Sequence, residues 1–139
     1  MGRSEIRGDQ VKDDSITGDD VSEISLRYPV TALYSGNDPG TTYTVSDSDY
    51  IILINTRPTN QGGIDSSITV TMPDASGNTG RIVIIKDAGG YSETNSISIS
   101  AHSGNNFEGN NAVTSLSLIA DGSSKRFVSN GSSSWYEIN

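Results

Sequence analysis

From Thr42 onward, apolar residues recur at every second position: Tyr43 and Val45; Ile68, Val70 and Met72; Ile97, Ile99 and Ala101; Leu116, Leu118 and Ala120. Ser or Thr fills most of the positions between them. Successive side chains of an extended strand point to opposite faces, so this pattern predicts strands with one face in a core and one in water. Two runs break the alternation. Residues 50–54 (YIILI) and 81–85 (RIVII) are almost continuously apolar, which predicts strands covered on both faces at the centre of the fold.

Turn-forming clusters separate these runs: residues 58–63, 73–80, 87–90 and 104–111, then Asp121-Gly122 and Asn130-Gly131. Seven or eight strands result, with no helical stretch. Those flanking Asp121-Gly122 and Asn130-Gly131 read as a closing meander of two hairpins. Closely spaced strands with tight turns predict an all-β chain, a small antiparallel β-sandwich or barrel. Pro73 ends the strand before it, because it cannot donate a ladder hydrogen bond. Trp135 and Ile138 predict that the C-terminal segment is pinned in the fold.

Residues 1–25 follow another rule. Ile6-Arg-Gly-Asp-Gln-Val11 returns ten positions later as Ile16-Thr-Gly-Asp-Asp-Val21, placing Ile6, Val11, Ile16 and Val21 five apart in polar sequence. A helix scatters such residues around its cylinder, and a strand puts alternate ones on opposite faces. An extended segment reset at Gly8 and Gly18 could return each to one axis, stable only if another surface occupies that axis. The expected division is an extended acidic repeat arm for oligomerisation or attachment (1–27), a linker (28–41) and the β domain (42–139).

With 139 residues, 32% of them hydrophobic, and no cysteine, the chain has material for one core and no disulfide or thiolate metal site to reinforce it. The net charge is −8, and residues 1–25 carry seven acids against Arg3, Arg7 and Lys12. Phosphate contacts need clustered cations, so nucleic acid is not an expected direct partner. No basic, apolar leader and no apolar run long enough to span a bilayer is present, so neither secretion nor a membrane is expected.

Chemistry-bearing residues are sparse. His102 is the one histidine and no Gly-x-Ser-x-Gly elbow occurs, so the expectation is a non-enzyme with no cofactor and no metal site. Asp13-Asp14, Asp19-Asp20, Asp47 and Asp49 offer oxygen ligands without the spacing of a calcium loop. Asp47-Ser-Asp49 better suits a cap on the turn before Tyr50. Arg7-Gly8-Asp9 belongs to the repeat and is not read as a cell-attachment signal.

The run from Tyr43 to Thr56, followed by Ser67-Ile-Thr-Val-Thr-Met-Pro73, Thr79-Gly-Arg-Ile-Val-Ile-Ile-Lys-Asp87, Asn95-Ser-Ile-Ser-Ile99 and Gly131-Ser-Ser-Ser-Trp-Tyr-Glu-Ile138, resembles a β-rich module of tailed-bacteriophage virion proteins. The segment from Val11 to Val21 similarly resembles linker repeats of phage fibre proteins, in which three chains commonly wrap together. The resemblance implies a virion structural protein on the particle exterior, made in the host cytoplasm. It also implies a homotrimer docking on the major capsid protein or other virion proteins. Modules of this kind occur in tail fibres, head fibres and capsid decoration (cement) proteins, and one small domain on a short arm favours decoration or a short head fibre. The alternative is a tail-fibre module that binds a host glycan, with Tyr91, Phe107, Trp135 and Tyr136 as stacking surfaces.

Overall fold

The computed structural model describes residues 27–139. Ten strands make up two sheets: β1 (Val30–Leu33), β2 (Thr42–Thr44), β3 (Ile51–Ile54), β4 (Ile68–Thr71), β5 (Ile82–Asp87), β6 (Ile97–Ser100), β7 (Asn106–Phe107), β8 (Ser115–Leu118), β9 (Ser124–Ser129) and β10 (Ser134–Glu137). Thr59–Gln61 forms a single 3-10 turn. The six-stranded sheet has the order β1-β3-β5-β9-β10-β7 and the four-stranded sheet β2-β4-β6-β8.

One core fills the space between the sheets. Ile52, Ile54, Val83, Ile85, Phe127 and Trp135 enter it from the larger sheet, and Ile68, Val70, Met72, Ile97, Ile99 and Leu118 from the smaller, each at most 2% exposed. Burying an aliphatic side chain of this kind stabilises the fold by roughly 1.5–3 kcal/mol before entropy is counted. Phe107 and Phe127 pack with ring centroids 5.3 Å apart. The Trp135 indole N–H donates to the Pro73 carbonyl at 3.0 Å, so the last strand is both packed and hydrogen-bonded. The all-β class and the sandwich of two sheets are as expected from the alternating pattern.

The direction of pairing is not. Up to β8 the chain alternates between sheets, odd-numbered strands joining the larger and even-numbered the smaller. Two crossings bring it back to the first sheet running the same way. Thus β1, β3 and β5 pair in parallel, as do β2, β4 and β6, and β7 with β10. Only β5–β9, β9–β10 and β6–β8 are antiparallel. The uniformly antiparallel arrangement is therefore corrected: the Gly- and Asp-rich turns mostly lead across to the opposite sheet.

Three local expectations change with it. Residues 30–33 lie within the expected linker, yet they form β1, registered Val30↔Ile51 through Leu33↔Ile54 along β3. Leu33 is 2% exposed, so the body begins earlier than the alternation from Thr42 indicated. Asp121-Gly122 joins strands of different sheets, so the closing meander is one hairpin, β9–β10, preceded by a crossover. At the remaining hairpin Gly131 has φ 78°, and a Cβ there would stand 1.8 Å from Thr79 Oγ1. Glycine is required on both counts. Finally, β3 and β5 are central, but only their inward residues are buried.

Candidate functional site

Two buried carboxylates organise the ends of the sandwich. Asp49 is 5% exposed and sits where β1, β2 and the turn into β3 converge. It accepts a short hydrogen bond from the Thr31 hydroxyl, and further bonds from the Tyr43 hydroxyl at 2.7 Å, the Ser46 amide at 2.7 Å and the Ser46 hydroxyl at 2.9 Å. Burial alone would raise its pKa, but these donors outweigh it and hold the group below the ordinary aspartate value. The Tyr43 phenol is pushed up to about 12, by burial first and then by its bond to, and the charge of, Asp49.

Beside this cluster lies a shallow cleft of ≈ 490 Å³ lined by Tyr28, Pro29, residues 47–50 and Gly80, Arg81 and Ile82. Tyr28 stacks on Tyr50 with centroids 4.1 Å apart. Arg81 reaches over it, donating to the Ser46 carbonyl at 2.5 Å and pairing with Asp47 at 3.3 Å. Both acids of the Asp47-Ser-Asp49 turn thus have partners within the chain, Asp49 capping the Ser46 amide as its sequence position suggested. Among the described residues no group of three or more His, Cys, Asp or Glu is placed to hold a metal ion. Asp13, Asp14, Asp19 and Asp20 lie outside the described residues.

Asp87, 1% exposed at the end of β5, occupies a cradle of backbone amides. Gly89 and Gly90 donate to one oxygen at 3.1 and 2.8 Å; Tyr91, Ser92 and Gly122 donate to the other at 2.9, 3.1 and 2.9 Å. Gly90, with φ 62°, lets the chain curl around the carboxylate. A Cβ on Gly89 would stand 2.4 Å from Asn55 Oδ1. Burial opposes ionisation here too, and the amides of Gly122, Ser92 and Tyr91 overcome it, so the pKa is lowered. The residues so held begin the path to β6 and end the path from β8, and one side chain therefore fastens the crossovers between sheets.

The outer faces of the two sheets differ in kind. On the smaller sheet the outward rows are Thr42–Thr69–Ser98–Ser117 and Thr44–Thr71–Ser100–Ser115, a grid of hydroxyls without charge. On the larger, register aligns Val30–Ile51–Ile84–Arg126, Ala32–Leu53–Lys86–Ser124 and Ile82–Val128–Tyr136. Ile51, Leu53, Ile82, Ile84 and Val128 remain half-buried, whereas Val30 is 55% exposed. The expectation that residues 50–54 and 81–85 are covered on both sides is met only on the inner side within one chain.

The residues proposed from sequence are not brought together. Ile6, Val11, Ile16 and Val21 lie outside the described residues. Phe107 and Trp135 are 0% exposed and belong to the core, which corrects their assignment as stacking surfaces for a glycan. Tyr91 is half-buried beside Asp87, and Tyr136 stands on the outer face of β10. Sequence reasoning missed Asp87 as an organising residue; its one signal was the two glycines that follow. The chain matches no protein-family model, and no curated protein sequence matches it.

Proposed function

We propose that this chain is a non-enzymatic structural protein of a tailed-bacteriophage virion, a capsid decoration (cement) protein or short head fibre. It docks as a homotrimer on the major capsid protein or neighbouring virion proteins at the particle exterior. The observation that carries this reading is the use made of the buried ionisable groups. Asp49 and Asp87, the two acids taken into the body, are both saturated by donors of their own chain and hold turns and crossovers in place. That chemistry suits a stiff module rather than a reaction. The order of linker repeat followed by β-rich module, as in phage fibre proteins, supports the same reading.

Attachment in this role relies on repetition. Many copies binding weakly at symmetry-related sites, with several contacts per trimer, give a residence time that one small interface would not. The acidic segment of residues 1–25 favours a docking surface with basic rims, so occupancy falls as salt rises.

Quantifying the protein bands of a purified particle, with the protein located by cryo-EM, tests the assignment. Decoration predicts copy numbers that scale with the capsid lattice. A few copies at the tail tip would replace it with the receptor-binding reading, for which a glycan array probed with the full chain is the direct check. Absence from the particle would remove both.

A further inference from the structure

The geometry points to Asn130, in the β9–β10 hairpin, as a site of intramolecular deamidation whose product is an aspartate that the turn is already built to hold. The inference stands apart from the virion reading. Asn130-Gly131 is the one Asn-Gly pair in the sequence. Asn130 is exposed, and its Oδ1 accepts from three successive amides, Ser132 at 2.9 Å, Ser133 at 3.2 Å and Ser134 at 3.0 Å. The arrangement repeats the cradle around Asp87, whose carboxylate takes the amides of Gly89, Gly90, Tyr91 and Ser92. A carboxylate accepts such bonds more strongly than a neutral amide does. At residue 87 the acid is encoded; at residue 130 the chemistry of the turn supplies it.

Three features open the reaction. Gly131 brings no side chain against the attacking nitrogen, and the fold keeps glycine there, since a Cβ would stand 1.8 Å from Thr79 Oγ1. The bonds of the Asn130 side chain are all on Oδ1, so among the described residues the departing Nδ2 gives up no partner. The same three amides stabilise the negative charge that gathers on Oδ1 as the nitrogen adds. Hydroxide removes the Gly131 amide proton, that nitrogen bonds to Asn130 Cγ, and the Cγ–Nδ2 bond breaks; a proton from water completes the ammonia and restores the hydroxide. Water then adds to Cγ of the succinimide, the ring C–N bond opens, and the proton returns to the Gly131 nitrogen. Nucleophile and carbonyl belong to adjacent residues, so ring closure is unimolecular. The net change is amide plus water to acid plus ammonia, which takes the net charge of −8 one unit further. Ser129 Oγ accepts from the Gly131 N–H at 3.0 Å and slows the loss of that proton. The cradle polarises the Cγ carbonyl rather than the main-chain carbonyl, so water opens the ring toward ordinary aspartate instead of isoaspartate.

The test incubates the full chain for weeks at mildly alkaline pH, folded and in guanidinium chloride, and follows it by peptide mass mapping with isoaspartate told from aspartate by fragmentation. The expected result is conversion at Asn130 ahead of every other asparagine. Aspartate should be the main product in the folded chain and isoaspartate in the denatured one, where no cradle directs the water. Two variants check the cradle independently. Asn130→Asp should keep the urea midpoint of the starting chain at neutral pH or raise it, whereas Asn130→Ala, which leaves three amides without their acceptor, should lower it. Any of three results would overturn the assignment: no conversion at Asn130, isoaspartate predominating in the folded chain, or an Asn130→Asp midpoint as low as that of Asn130→Ala.

Discussion

The two sheets share one core, yet their outer faces differ in kind. The smaller sheet turns eight Ser and Thr hydroxyls outward and no charge; the larger turns out Val, Ile, Leu and Tyr with Lys86 and Arg126 among them. Core packing cannot explain the difference, because both outer faces lie beyond it. Hydroxyls on a pleated surface are content with water. Half-exposed isoleucines are less so, and association is the one way open to them to lose more water. The lesson is that burial within one chain accounts for the inner rows and leaves the outer rows to be set by other constraints.

The largest effect that sharpens this comparison lies on adjacent residues of β3. Ile52 points inward at 0% exposure and Leu53 outward, half-buried. Ile52→Ala should lower unfolding stability by about 2–5 kcal/mol, through lost transfer energy and the cavity left behind. Leu53→Ala should cost less than about 1 kcal/mol in dilute chain, where the outer face is bare. Urea denaturation at low and high protein concentration separates the two. If Leu53→Ala becomes costlier only at high concentration, the outer face is covered by association.

Next in size is the fastening between the sheets. Asp87→Asn keeps one acceptor oxygen and converts the other to a donor facing the amides of Tyr91, Ser92 and Gly122. A loss of about 2–4 kcal/mol is expected from unmet buried donors. Proton linkage gives the same site a pH signature. Asp49 and Asp87 both have lowered folded pKa values, so their contribution is complete above the unfolded aspartate value of about 3.9 and disappears as pH falls through the folded values. Tyr43 acts at the other end. Its folded pKa of about 12 exceeds the unfolded value, so its contribution is lost as pH rises from about 10 toward 12. Urea midpoints should therefore fall at both extremes, and Asp87→Asn should flatten the acid limb.

How much of this was legible beforehand depends on the range of the interaction. Alternation at Ile68, Val70, Met72 and at Ile97, Ile99 reports a local fact, the pleat, and those residues are in the core. The sheet to which each strand belongs is not local. Asp121-Gly122 looks the same whether it closes a hairpin or carries the chain across the sandwich, and only the partners of β8 and β9 distinguish the cases. β1 was hidden because its outward residues, Val30 and Ala32, and its inward Thr31 and Leu33 blur the alternation. Thr31 is inward because it serves Asp49, a partner 18 residues away. Phe107 and Trp135 were ambiguous for a related reason: an aromatic in a Ser- and Asn-rich segment reads equally as a binding surface or as the plug of a small core.

The smallest effect concerns the hydroxyl face. Thr69→Val and Thr71→Val replace half-buried hydroxyls of β4 with methyl groups of similar shape, and Val favours the strand as much as Thr does. Stability measured by urea denaturation should move by no more than about 0.5 kcal/mol, because the deleted hydroxyls face water. Association should move instead. One apolar face per molecule lets a small closed oligomer cover itself, but a second, on the opposite side, leaves each oligomer with a surface still to be covered and no rotation that closes it. Light scattering of the double variant should therefore rise with concentration while the native chain stays at its fixed mass. If scattering does not rise, hydroxyls are not what keeps the smaller sheet free, and the contrast between the faces would reduce to the aliphatic rows of the larger sheet alone.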